Sequence, residues 1–215
     1  MAEQETDIGR VITSDACVAE GADWLAGIEP RFAAALGATG PLPLRLRADG
    51  FGQLLSAIIS QQVSVASARA IWGKLEAAGM VTGDAILSVS EEDLRALGLS
   101  RQKAHYAHAL AEAGLDFDAL RSDPTAEVVR KLTAVKGIGV WTAEIYAMFS
   151  LGRADVFAPG DLALQEGARL LFDLPERPKD RALRQMAEAW SPWRSVAART
   201  LWAYYHVVKQ REGTL

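Results

Sequence analysis

Apolar positions recur along most of this chain at helical spacing. Leu54, Leu55, Ile58 and Ile59 mark one helix face, which ends at the polar break Ser60-Gln61-Gln62. A second run follows over Ala66 to Ala78 and stops at Gly79. Ser90-Glu91-Glu92-Asp93 has the form of a capping box, with Asp where Glu is usual, and opens a short helix ending near Gly98. Ser100 caps the next helix, Arg101 to Ala113, which Gly114 closes. The pattern then predicts helices over Glu127 to Ala134 and Val140 to Ser150, paired around a five-residue turn. Further helices are expected over Asp161 to Phe172, Lys179 to Trp190 and Pro192 to Lys209, with Pro192 at a first-turn position. Leu42 to Asp49, behind Pro41 and Pro43, reads as an irregular entry, and strand candidates are confined to Leu42–Leu46 and Val156–Phe157. Nothing repeats at a fixed period. The predicted fold class is all-α, in two helical lobes, because the helices between Ile71 and Glu112 separate segments that must otherwise meet.

Composition narrows the picture. A chain of 215 residues suits one large domain or two interleaved lobes, and a half-hydrophobic content excludes wholesale disorder. One cysteine, Cys17, excludes an internal disulfide, a four-cysteine zinc site and a four-cysteine iron–sulfur cluster. No apolar run approaches the ~20 residues of a membrane span, and the acidic start Met1 to Asp7 is the opposite of a secretory or transit segment. The expectation is a soluble, cytoplasmic monomer with no membrane partner. Charge is unevenly placed. Residues 1–30 carry a net −6, whereas residues 178–211 carry a net +5 within a chain of net −4. That basic stretch suits either a solvated helix face or a modest phosphate-facing surface.

The most informative segment is Leu132-Thr133-Ala134-Val135-Lys136-Gly137-Ile138-Gly139-Val140-Trp141-Thr142-Ala143. Two glycines around one aliphatic residue permit a tight turn, and a helix starting at once afterwards directs its first N–H groups outward. Such amides make an anion site suited to a phosphate, with Ile138 plugging inward; an ordinary αα-hairpin turn has the same pattern. An aspartate, Asp161, follows Pro159-Gly160, twenty positions past Trp141.

With the further stretches Ala57 to Ser64, Leu97-Gly98-Leu99 with Lys103-Ala104, Asp155 to Asp161 and Trp190 to Ala197, this arrangement resembles the helix–hairpin–helix DNA glycosylases, in particular the alkylation-repair branch of DNA-3-methyladenine glycosylase II. The resemblance spans roughly residues 45–210. It implies a two-lobed helical fold with an active-site cleft between the lobes. The expected division is an acidic segment over 1–40, loosely attached at first and then joining the C-terminal lobe, and a glycosylase core over 41–215. Within that core the inner lobe covers about 51–134, and the hairpin and catalytic lobe about 127–215.

The resemblance also implies an activity: hydrolysis of the N-glycosidic bond of alkylated purines flipped out of double-stranded DNA, with no redox or organic cofactor. On it, Asp161 matches the catalytic aspartate, although an Asp before Leu162-Ala163-Leu164 is also a simple helix N-cap. Asp155, the nearest competing acid, reads as structural. Trp141 stands where strand-nicking relatives carry a Schiff-base lysine, which implies hydrolysis without lyase activity and offers a π face to a cationic base. Trp202 matches a pocket aromatic or is core, and Tyr146 is a further pocket candidate beside Ile145, where relatives can show a tyrosine. Gln61 and Gln62 match the loop that inserts into the gap left by a flipped nucleotide, with Gln62 aligned to the wedge; a polar helix linker is the alternative. Lys136, Gly137, Ile138, Gly139 and Thr142 match the family's phosphate-binding hairpin, with Lys136 phosphate-facing or solvated. The carbonyls of Thr133, Val135 and Ile138 could hold a structural sodium or potassium ion. His105, His108 and His206 show no metal or triad grouping, and Trp24, Trp72, Trp190 and Trp193 are packing residues. The competing readings are a glycosylase for oxidised or mismatched bases, a non-catalytic helix–hairpin–helix DNA-binding protein, and an unrelated helical bundle.

Overall fold

The helical periodicity is realised in thirteen α-helices and one 3₁₀ turn among residues 8–212, the part of the chain described by the computed structural model. Among these residues no strand forms: neither Leu42–Leu46 nor Val156–Phe157 enters a ladder, and an isolated bridge, Val11 to Arg153, lies outside both. The chain divides into two units, one of residues 1–46 with 147–215 and one of residues 47–146.

The second unit holds α3 (Phe51–Ser60), α4 (Val65–Ala77), α5 (Gly83–Leu87), α6 (Glu91–Ala96), α7 (Arg101–Glu112), α8 (Phe117–Ser122) and α9 (Thr125–Thr133), and runs into α10 (Val140–Phe149). Helix α7 packs against α3, α5 and α6. The apolar face expected at Leu54, Leu55, Ile58 and Ile59 is fully buried there with Leu75, Leu94 and Ala104. The Ser90 box forms as expected: the Asp93 carboxylate accepts from Ser90 N–H at 2.9 Å, and Ser90 Oγ accepts from Asp93 N–H at 3.2 Å. Helices α5 and α8 have no counterpart in the pattern reading, because at five and six residues they are shorter than a recognisable period.

The first unit holds α1 (Asp15–Ile28), α2 (Pro30–Thr39), α11 (Leu162–Leu171), α12 (Asp180–Ala187), the 3₁₀ turn Glu188–Trp190 and α13 (Arg194–Glu212). Helix α13 packs on α1, α2 and α11 around an aromatic cluster. In it Trp190 stacks on Phe172 at 5.7 Å and meets Phe32 and Phe157 edge-on, each at 5.4 Å. Helix α13 starts at Arg194 rather than Pro192, since residues 190–193 close a turn through Trp193 N–H on the Trp190 carbonyl at 2.8 Å.

The loose attachment expected at the start of the N-terminal segment does not describe residues 8–20, and the helices that follow are packed as well. Ile12, Val18, Leu25 and Phe32 are buried, each worth ~1.5–3 kcal/mol on transfer from water. Ile12 N–H donates to the Gly152 carbonyl at 2.7 Å, and Ala154 N–H to that of Arg10 at 3.0 Å. Acidic side chains concealed this because Asp15, Glu20 and Asp23 are exposed on α1, away from its buried Val18, Ala22 and Leu25. Residues 1–7 lie outside the described part.

Candidate active site

Asp161 ends the loop before α11 and is its N-cap. The turn is set locally: Asp161 N–H donates to the Ala158 carbonyl at 3.0 Å, and the buried Gln165 side-chain amide donates to that of Pro159 at 2.8 Å. Asp161 Oδ1 then accepts from Ala163 N–H at 2.9 Å and Leu164 N–H at 3.0 Å. A third donor comes from far along the chain, the Trp202 indole N–H at 3.2 Å. Its approach depends on Gly167. A Cβ there would lie 2.6 Å from the Leu201 carbonyl oxygen, so only glycine lets α11 and α13 close up where Trp202 follows. Trp202 is buried against Phe149, ring centroids 5.7 Å apart and 31° inclined. The two readings of Asp161 are therefore compatible: the cap bonds fix the carboxylate at the positive end of a helix, and an aromatic ring steadies it from the side.

Asp155 is built differently. It takes a bidentate pair from Arg194 at 2.5 and 2.7 Å and a bond from Ser191 Oγ at 2.8 Å. Burial pushes its pKa up, but Arg194 and Ser191 outweigh that and hold it below the usual carboxylate value. This is a corner brace. The same geometry withdraws two bases from the basic stretch over 178–211, while Lys179, Arg181, Arg184 and Lys209 stay exposed. Arg194 is tied to Asp155, and Arg199 is buried, donating to the Leu44 carbonyl at 3.0 Å and to Ser195 Oγ at 2.5 Å.

In the second unit, α9, the turn 134–139 and the start of α10 form the expected hairpin. Val135 and Ile138 are buried, with Ile138 N–H on the Val135 carbonyl at 3.1 Å, while Lys136, Gly139 and Val140 are exposed. Gly137 has φ +97°, and a Cβ on it would lie 2.4 Å from the Tyr106 ring. The chain thus turns flat against an aromatic face that sequence reasoning did not single out. No local pattern around Tyr106 announces that contact. A carbonyl has two lone pairs, so the bond from Ile138 N–H leaves the Val135 oxygen able to accept once more.

Trp141 is 46% exposed and Thr142 is buried. Tyr146 is buried too, and its hydroxyl accepts from Gly50 N–H at 2.8 Å; burial, the dominant cause, pushes its pKa up to about 12. It fastens the start of α3. The glutamine pair divides. The Gln61 side-chain amide donates to the Gly137 carbonyl at 3.0 Å, whereas Gln62 is exposed at φ +57°. A cavity of about 390 Å³ is lined by both glutamines, Lys103, Tyr106 and Gly137 among others. His105 pairs with Glu91 at 3.0 Å, and no group of three His, Cys, Asp or Glu side chains among the described residues could hold a metal.

An all-helical chain with a buried-aliphatic Gly-Ile-Gly hairpin and a helix-capping aspartate after Pro-Gly defines a class of DNA-repair fold, and comparison with known proteins agrees. The model of the HhH-GPD superfamily of base excision DNA repair proteins matches residues 55–192, and the chain belongs to that family. Among curated proteins it is 31% identical over 166 residues to DNA-3-methyladenine glycosylase 1 of Schizosaccharomyces pombe, covering 72% of each chain. The crystal structure of DNA-3-methyladenine glycosidase from Bacillus halodurans matches with TM-score 0.81 and 33% identity, over 94% of this chain and 95% of that one. The S. pombe 3-methyladenine DNA glycosylase Mag1 in complex with abasic DNA matches with TM-score 0.72 and 29% identity, over 85% of this chain and 95% of that one.

Proposed function

We propose that this protein is a monofunctional DNA glycosylase that removes alkylated purines, of the 3-methyladenine and 7-methylguanine type, from duplex DNA as the first step of base excision repair. The observation that carries the reading is the Asp161 carboxylate, held by two helix N-terminal amides and the Trp202 indole in a chain of this family.

A stacked base is out of reach, so the damaged nucleotide is extruded, at a cost of a few kcal/mol. Gln62, the exposed member of the pair, fills the gap. The hairpin amides behind Gly139 take a backbone phosphate, with Lys136 nearby. A monovalent cation on the carbonyls of Thr133, Val135 and Ile138 would add positive charge at that phosphate. A purine alkylated at N3 or N7 is already cationic. Its C1′–N bond breaks with the electron pair going to the base, so little acid assistance is needed. Positive charge then grows on the sugar, and Asp161, fixed in advance, opposes it. Water adds at C1′ and passes its proton to the carboxylate.

Trp141 has no amine, so no Schiff base forms. Its indole, 46% exposed, suits a cationic base, worth ~1–2 kcal/mol. The test is release of free base from methylated duplex DNA, resolved by purine, with borohydride added in parallel. Free 3-methyladenine or 7-methylguanine without a covalent adduct is expected. No release, or a borohydride-trapped adduct, would contradict the reading.

A further inference from the structure

Gln61 and Gln62 are adjacent amides, yet the fold treats them oppositely. Gln62 projects, exposed, in the left-handed region at φ +57°, where a non-glycine residue is strained by ~1–3 kcal/mol unless its surroundings hold it. Three ties in the second unit do so. Before the loop, the Lys103 ammonium, half-buried at the rim of the cavity, donates to the Ile59 carbonyl at 2.6 Å and fixes the last turn of α3. After it, Ser64 Oγ accepts from Ser67 N–H at 3.1 Å and starts α4. Between them, the Gln61 amide crosses to the hairpin and donates to the Gly137 carbonyl. That carbonyl belongs to Gly137, whose backbone lies too close to Tyr106 for a Cβ, so it cannot move toward the ring.

We infer that Gln61 is a positioning residue that joins the loop bearing Gln62 to the phosphate-binding hairpin, so that seating the hairpin on DNA and inserting Gln62 occur as one movement. This rests on the function proposed above. The physical logic is that a single bond from a wedge-loop side chain to the main chain of the clamp converts two independent fittings into one, removing the freedom of the loop before the nucleotide leaves the stack. Gln61 touches neither the base nor the sugar in this account; it acts through Gln62.

A double-mutant cycle tests it, using the full chain, methylated duplex and an undamaged duplex of the same sequence. Gln61→Met keeps the shape and removes the donor. The expected result is a single-turnover release rate lower by about 10–50-fold, with Kd for undamaged duplex within about threefold of wild type and Tm nearly unchanged. Adding Gln62→Ala to Gln61→Met should cost less than about twofold more, although Gln62→Ala alone is costly, because an untethered wedge is already ineffective. If Gln61→Met lowers Tm, Gln61→Asn, with an amide too short to reach Gly137, carries the same test. Release at the wild-type rate by these variants, or single effects that simply multiply in the double variant, would overturn the inference. A wild-type protein that releases no methylated purine would overturn the proposed function itself and this inference with it.

Discussion

The surroundings of Asp161 and those of the Gln62 loop are built on opposite plans. Around Asp161, three donors converge on one carboxylate oxygen, Gln165 is buried beneath the turn, and Trp202 is packed in place. Around the loop and hairpin, large side chains stay uncovered: Val65 is 78% exposed, Val140 49% and Trp141 46%. On the proposed function, the contrast follows from what each region meets. A charge that must oppose another charge at one point is effective only if it is already in position. A surface that receives a long, deformable polymer must leave apolar and polar groups bare, at a cost that an isolated molecule has no reason to bear.

That contrast can be broken at either end. The largest effect is expected from Gly137→Ala, which places a methyl against Tyr106 and an unfavourable φ in the hairpin. It should destabilise by ~2–4 kcal/mol, a Tm fall of roughly 5–12 °C, and weaken duplex binding at least about tenfold. Calorimetry and fluorescence anisotropy check both. Trp202→Phe keeps a ring beside Phe149 but deletes the donor to Asp161. Single-turnover release should fall about fivefold with affinity for an abasic analogue preserved, since about 1 kcal/mol of positioning is lost. Trp141→Ala belongs to the exposed plan. It should weaken action on cationic alkylated purines about five- to tenfold, and action on a neutral lesion such as ethenoadenine much less.

The smallest effect on activity sharpens the contrast between two acids in one unit. Asp155→Asn should leave base release unchanged and lower stability by ~1–2 kcal/mol at pH 7. Because the Asp155 pKa is lowered by folding, its contribution is complete above the unfolded value of ~3.9 and is lost as pH falls through the folded value. The Tm gap between the two proteins should therefore begin to narrow below about pH 4 and vanish only below the folded value.

Much of this was legible before any coordinates. Periodicity exposed the long helices, and the capping box, the Gly-Ile-Gly hairpin and the Asp after Pro-Gly announced themselves because their chemistry is local. What escaped depends on distant partners. Nothing near Trp202 says that its N–H meets Asp161, 41 positions away, and nothing near Tyr106 says that Gly137 lies against it. Tyr146 reads as a free pocket aromatic until Gly50 is found on its hydroxyl. Arg194 and Arg199 count toward a basic surface until their partners are seen. The acidic charge of α1 concealed a helix that packs through its opposite face.

The account stands on the fixed carboxylate, and single-turnover release of methylated purines by wild type and Asp161→Asn measures it most directly. Asparagine keeps the side chain's size and can still accept the cap bonds through its amide oxygen, so abasic-analogue binding should stay within a few-fold. Release should fall by about 10²–10³, the loss seen when a preorganised electrostatic group is removed. Equal rates for the two proteins would contradict the account.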